Sequence, residues 1–340
     1  MAESIKIVRT DAQLECPRID QVLREHGFAL VLLPEGVSEA RLVHEVRDAH
    51  LLLMCYTPIT SRVIASAGRL KGIVKYGVGI DAIDIEAARA CHIPVTNIPD
   101  YAEQTVAEGA FTLLLALAKK LLPIHAAVHS RGWAWPGERW LGSDVAGKTL
   151  GLVGTGRIGR SLAHMAGAGF RVRVLGYDPH VDAATMHAHG IEKVEDLKSL
   201  LEQADFISIH AVLNKDTHHL IGAAELACMK PGANLINVSR GAIVDEAALL
   251  MALQSKQIAG AGLDVYGQEP LALTNHPLRE LYALDNVILF PHLTFYTREA
   301  MHRLESQTLA RCFEILEGRP LLITSADPRL RSQSHGVTFA

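Results

Sequence analysis

The chain has 340 residues, 49% of them hydrophobic, and a formal net charge of −4 with acidic and basic residues interspersed. That length exceeds one α/β domain of ordinary size and leaves room for two cores. A near-neutral, mixed surface offers no broad attraction to nucleic acid or to an anionic membrane, so a small-molecule partner is expected, with no nucleic acid and no membrane.

The cysteines, Cys16, Cys55, Cys91, Cys228 and Cys312, are scattered, with no C-x-x-C pair and no histidine at zinc-finger spacing. They read as thiols in a reducing compartment. The start MAESIKIVRT lacks the pattern of a signal peptide, and the most apolar run, residues 110–118, is closed by Lys119 and Lys120 short of a membrane span. A soluble cytoplasmic protein is the expectation.

In chain order, short apolar runs at 5–8, 29–33, 51–55, 72–75 and 93–96 alternate with helical patterns, which predicts a parallel sheet covered on both faces. A long helix is expected over 105–128, opened by a capping-box-like Thr105…Glu108. After an irregular, tryptophan-bearing segment at 133–140, a second series of strands is predicted at 149–153, 173–177, 206–210, 234–237, 260–263 and 287–290. Six strands with intervening helices match a doubly wound dinucleotide domain. The fold class is therefore α/β with two parallel-sheet domains. The expected division is a first part at 1–100, a cofactor domain with its crossing helix at 101–297, a return helix at 298–324, and a loosely held tail at 325–340.

Gly154-Thr155-Gly156-Arg157-Ile158-Gly159 follows an apolar run and opens a helical one. In that context Gly154 permits the tight turn, Gly156 lets the backbone approach a pyrophosphate, and Gly159 lets helix and strand pack closely. Alone the motif also fits a packing turn. Asp178, nineteen residues after Gly159 at the end of the next predicted strand, adds a carboxylate placed to accept from ribose hydroxyls. A carboxylate there repels a 2′-phosphate and no lysine or arginine follows closely, so NAD is expected over NADP.

Three later segments end strands of the same domain: Asn237-Val238-Ser239-Arg240-Gly241, Leu263-Asp264-Val265-Tyr266-Gly267-Gln268-Glu269-Pro270 and Phe290-Pro291-His292-Leu293-Thr294. Ligands of open α/β sheets bind beyond such strand ends. Oxidising a hydroxyl needs a base that can return the proton, which suits His292. Glu269 would orient the imidazole and stabilise its charged form, and Arg240 would hold a substrate carboxylate or carbonyl through its planar fork. Each has a bland reading alone: a cap or surface ion pair for Arg240, a loop charge for Glu269, a core histidine for His292. Their shared placement favours chemistry. The other histidines lack companion carboxylates or thiols at ligand spacing, so no metal is expected.

These stretches, with Tyr76-Gly77-Val78-Gly79-Ile80-Asp81, Asn97-Ile98-Pro99-Asp100, Val106-Ala107-Glu108 and Met229-Lys230-Pro231-Gly232-Ala233, resemble the D-isomer-specific 2-hydroxyacid dehydrogenase family from about Gly72 to Thr297. The resemblance implies a Rossmann-type cofactor domain inserted into a flavodoxin-like substrate domain, and hydride transfer between NAD and C2 of a small 2-hydroxy or 2-oxo acid. It implies that the N–H groups of Val78 and Gly79 receive the substrate carboxylate and that Tyr76 belongs to that substrate loop. It further implies that Thr105 touches the cofactor, that Asp264 holds the carboxamide, and that Val238 and Ser239 line the nicotinamide pocket. A homodimer is expected on the same ground and from the apolar and aromatic surface of the long helix after Thr105 and of the segment 133–140. Where the family carries a small residue two positions after the histidine, this chain has Thr294 followed by Phe295 and Tyr296, from which a bulkier pocket wall is expected. Two rivals stay open: an NAD(H)-sensing interaction protein of the corepressor type, and an oxidoreductase of phosphite type.

Overall fold

The apolar runs of the first third become strands β1 (Lys6–Arg9), β2 (Ala29–Leu32), β3 (Leu51–Met54), β4 (Ile73–Lys75) and β5 (Val95–Asn97) in a computed structural model, which describes residues 4–340. All pair in parallel, in the order β2-β1-β3-β4-β5. This is the flavodoxin-like order, whose strands place ligands beyond their carboxyl ends. The four residues of β3 are all buried, as a strand covered on both faces requires. Beyond the ends of β1 and β3, Asp11 accepts from the N–H groups of Cys55, Tyr56 and Thr57 and from the hydroxyls of Thr10 and Thr57. One buried carboxylate thus ties two strand ends together.

The second compact unit, Glu103–Tyr296, holds β6 (Thr149–Val153), β7 (Arg173–Tyr177), β8 (Glu192–Lys193), β9 (Phe206–Ile209), β10 (Asn234–Asn237), β11 (Gly260–Leu263) and β12 (Val287–Leu289). They form one parallel sheet in the order β12-β11-β10-β9-β6-β7-β8. The central reversal at β6 and β9 is that of a dinucleotide-binding domain. There are seven strands rather than the six expected. The added one, β8, is a charged two-residue edge with no apolar run to betray it.

The expected helix at 105–128 is two helices, Glu103–Ala118 and Leu121–Arg131, bent by 59°. The first buries Leu113, Leu114 and Ala118 in the core beside β6 and β10. Lys120 then takes a left-handed conformation, φ +49°, and breaks the ladder. Pro123 lacks an N–H and is tolerated only near a helix start, so it marks the second helix as a new one. Because the first helix starts at Glu103, Thr105 lies within its first turn and does not cap it.

The chain returns to the first unit through the helix Arg298–Leu316, capped by Thr297, whose side chain accepts from the Ala300 N–H. The tail expected to be loose is instead built into this unit. β13 (Leu321–Ile323) and β14 (Val337–Phe339) pair in parallel around the short helix Pro328–Arg331. Gln333 is buried, with its amide accepting from the Val95 N–H at 2.7 Å and donating to the Val95 carbonyl at 2.9 Å. Polar composition hid this segment because its anchor is a glutamine. Among the described residues no single helix is long and apolar enough to cross a membrane, and no group of three or more ligating side chains could hold a metal.

Candidate active site

The glycine loop turns β6 into the helix Arg157–His164. Gly154 has φ +93°, and a Cβ there would lie 2.6 Å from the Ala211 nitrogen, so only glycine passes beneath the chain leaving β9. A Cβ on Gly156 would meet nothing within 4 Å, which leaves its face open to a ligand, whereas one on Gly159 would strike the Gly154 carbonyl at 2.6 Å. Arg157 and Ile158 begin the helix, whose first N–H groups have no partner within it. Asp178 follows β7 and accepts from the Thr155 N–H at 2.9 Å and the His180 N–H at 3.0 Å. A carboxylate has about four acceptor sites, so capacity for a ribose diol remains. Open glycine, helix start and anchored carboxylate fit an adenine dinucleotide.

Beyond β12, His292 Nδ1 lies 2.8 Å from Glu269 Oε2, with the two side chains 25% and 28% exposed. The pair is reachable yet partly withdrawn from water. Burial pushes the Glu269 carboxyl up, but the hydrogen bond and charge of His292, the Tyr266 N–H and the Arg240 guanidinium outweigh it and leave the group below its ordinary value. Glu269 is thus held as the anion. His292 adopts φ +59°, a backbone conformation that costs a non-glycine residue about 1–3 kcal/mol unless its surroundings impose it. Here Asp264 imposes it, accepting from the Leu293 N–H at 2.8 Å, the Thr294 N–H at 3.0 Å and the Thr294 hydroxyl. Burial raises the Asp264 carboxyl, and the Thr294 bonds pull it partly back.

Two residues that sequence reasoning missed join the segments. The Tyr266 N–H donates to Glu269 Oε1 at 2.9 Å, and its hydroxyl faces the carbonyls of Leu263 and Phe290 at 3.0 and 2.9 Å, which pins the ends of β11 and β12 together. A Cβ on Gly241 would fall 2.0 Å from the Tyr266 carbonyl carbon. The peptide after Arg240 therefore lies directly on the turn that carries Glu269. The signal for this contact was a glycine directly after the candidate arginine.

The Arg240 guanidinium donates to the Ser239 carbonyl at 2.7 Å, and the Asn237 amide holds the Arg240 carbonyl at 2.9 Å. The Val238 side chain belongs to the core, and the Ser239 hydroxyl donates to the Ala211 carbonyl. Thr105 is buried. Of the residues expected to make a bulkier wall, Thr294 and Phe295 are 7% and 6% exposed, with Thr294 turned inward to Asp264 beside Gly109, whereas Tyr296 is 45% exposed. In the first unit, the loop after β4 corrects another expectation. Tyr76 is fully buried, with its hydroxyl donating to the Thr10 carbonyl, so its side chain cannot contact a substrate. The Val78 and Gly79 N–H groups have no acceptor among the described residues, and Val78 is exposed.

Residues 111–294 match the family model of the D-isomer specific 2-hydroxyacid dehydrogenase, NAD binding domain. A glyoxylate reductase from Thermococcus litoralis is 41% identical over 273 residues, covering 78% of this chain and 80% of the relative. The chain belongs to the D-isomer specific 2-hydroxyacid dehydrogenase family. A D-3-phosphoglycerate dehydrogenase from Methanocaldococcus jannaschii is 37% identical over 92% of this chain and 58% of its own. The Aquifex aeolicus D-lactate dehydrogenase, solved with NAD and lactic acid, superposes with a TM-score of 0.82 at 30% identity, covering 92% of this chain and 96% of that one. This 2-hydroxyacid dehydrogenase is an NAD-dependent oxidoreductase of small 2-hydroxy or 2-oxo acids, with a Rossmann-type domain and a flavodoxin-like one.

Proposed function

We propose that this dehydrogenase interconverts a small 2-oxo acid and its D-2-hydroxy acid, with His292 as the proton donor and acceptor, Glu269 as its partner and Arg240 as a substrate ligand. The observation that carries the reading is the 2.8 Å contact between His292 and an anionic Glu269. The nicotinamide, when bound, exchanges a hydride with C2. His292 gives its proton to the C2 oxygen during reduction and takes it back during oxidation, and the neighbouring carboxylate stabilises the imidazolium before transfer. Arg240 orients the acid through parallel N–H donors. The N–H groups of Val78 and Gly79 are unspent donors suited to the substrate carboxylate. Thr105, Val238 and Ser239 would flank the cofactor, whereas Asp264, expected to hold the carboxamide, is 1% exposed with both oxygens engaged by Leu293 and Thr294, which assigns it to holding the histidine loop instead.

The test is NADH oxidation with glyoxylate, pyruvate, hydroxypyruvate and phenylpyruvate, glyoxylate first because of the glyoxylate reductase relative. Turnover is expected with at least one, and with NADH clearly over NADPH because Asp178 faces the ribose side. A preference for NADPH would remove Asp178 from that role, and NADH binding without turnover on any acid would replace the enzyme reading with a sensor.

The free enzyme is expected to be a homodimer. Leu121, Leu122, Trp133, Trp135 and Leu141 of the second unit are 57%, 46%, 62%, 78% and 74% exposed, an apolar, aromatic stretch of the kind that subunit contacts cover. Light scattering at micromolar concentration should give twice the chain mass; a monomer would count against this. All five cysteines are free, which suits a reducing compartment, and we place the enzyme in the cytoplasm.

A further inference from the structure

Lys75, the last residue of β4, is 5% exposed and forms no ion pair among the described residues. Its Nζ lies 3.0 Å from Cys55 Sγ and 5.3 Å from the centroid of the Tyr56 ring. Neither neighbour supplies a counter-charge. Burial pushes the Cys55 thiol up and Lys75 only partly reverses this, so the sulfur stays neutral, and the ring offers a quadrupole alone. Asp11 is the carboxylate of this strand end and its charge reaches Cys55, but its oxygens are engaged by the N–H groups of residues 55–57 and by two hydroxyls, and it forms no direct ion pair with Lys75. A buried ammonium with no anion in direct contact is costly, and a protein normally pairs or neutralises it.

The position of this charge says where its anion belongs. Gly77, two residues on, has φ +151°, and a Cβ there would stand 2.7 Å from Lys75 Nζ, so the ammonium lies against the backbone of the loop. The next two N–H groups, of Val78 and Gly79, have no acceptor among the described residues. Cation and unspent donors share one loop at the carboxyl end of one strand, where open α/β sheets bind ligands. We infer that Lys75 is a substrate-recognition residue, whose buried ammonium supplies the positive charge that holds an anionic carboxylate on the Val78 and Gly79 N–H groups. The inference rests on the proposed reading that this loop receives the substrate acid. It adds a charge requirement that neutral N–H donors alone would not impose.

The experiment compares the whole enzyme with Lys75→Met, which keeps the length of the side chain and removes its charge. With NADH saturating, the KM for pyruvate should rise about 10- to 100-fold, the range for losing one charge-assisted contact, while kcat changes much less. The preference for pyruvate over its neutral methyl ester should shrink in Lys75→Met and persist in Lys75→Arg, a discrimination that a merely structural lysine would not move. Equal pyruvate-to-ester ratios in parent and Lys75→Met would overturn the inference. A measurement on the parent needs no variant: oxalate added to the NADH complex should shift the amide resonances of Val78 and Gly79 and the side-chain resonance of Lys75 with one midpoint. Loop shifts with a silent Lys75 would overturn the charge role alone, whereas an unshifted loop would overturn the reading of the loop as the carboxylate site.

Discussion

Glu269→Gln should lower kcat for reduction of the 2-oxo acid about ten- to a hundredfold and move the pH dependence of both directions toward acid. The sign follows from charge: Glu269 is held as an anion 2.8 Å from the ring, and taking away an adjacent negative charge disfavours a protonated partner. Glutamine keeps the shape and can still accept from the Tyr266 N–H, but it removes the charge. Reduction needs the imidazolium as acid, so its fall with rising pH should begin at lower pH in the variant. Oxidation needs the neutral ring, so its rise should also come at lower pH. NADH affinity should stay close to that of the parent, because the glycine loop and Asp178 lie on other strand ends of the sheet. Superimposable pH–rate profiles would break the pairing of Glu269 with His292 as a functional unit.

Arg240→Lys should cost on the order of a hundredfold in kcat/KM, with KM for the acid rising more than kcat falls. Lysine keeps the charge felt by Glu269 but cannot present two parallel donors to a carboxylate. The peptide behind it is fixed by the Asn237 amide and by the contact of Gly241 with Tyr266, so the shorter fork cannot be compensated by a shift of the backbone. Steady-state kinetics against the acid, with NADH saturating, would settle this. An unchanged kcat/KM would take Arg240 out of the substrate site.

Sequence periodicity located nearly every long strand, because buried parallel strands read as apolar runs bounded by turn residues. The runs at 149–153, 173–177, 234–237 and 260–263 coincide with observed strands to the residue. The pieces that stayed hidden are those whose stability comes from elsewhere. β8 is charged and lives on a neighbour's edge, and the break at Lys120 depends on a left-handed residue that lysine does not announce, although Pro123 hinted at it. In the site, chemistry-bearing types could be picked by strand-end position, and Glu269 and His292 do meet. What could not be read was support: the two carboxylate oxygens of Asp264 bent around the histidine loop, the Tyr266 hydroxyl across two strand ends, the lack of room at Gly241. Such contacts are set by three-dimensional proximity of segments more than twenty residues apart. Tyr76 shows the converse error, since an aromatic beside a glycine loop looks like a pocket wall until its hydroxyl is seen turned toward β1.

Gln333 has a consequence for the behaviour of the protein in concentrated solution. β5 ends its sheet, and the outer side of a terminal strand is normally an invitation for another chain to add itself. Here a carboxamide offers the Val95 peptide one acceptor and one donor, the pair a neighbouring strand would provide, and the Thr96 hydroxyl donates to the Leu322 carbonyl beside it. This border of the sheet is closed by side chains from its own chain, which occupy the donor and acceptor that an added strand would need at Val95. Protection of the β5 edge therefore resides in residues 321–333, and removing them would expose that edge to pairing with another chain.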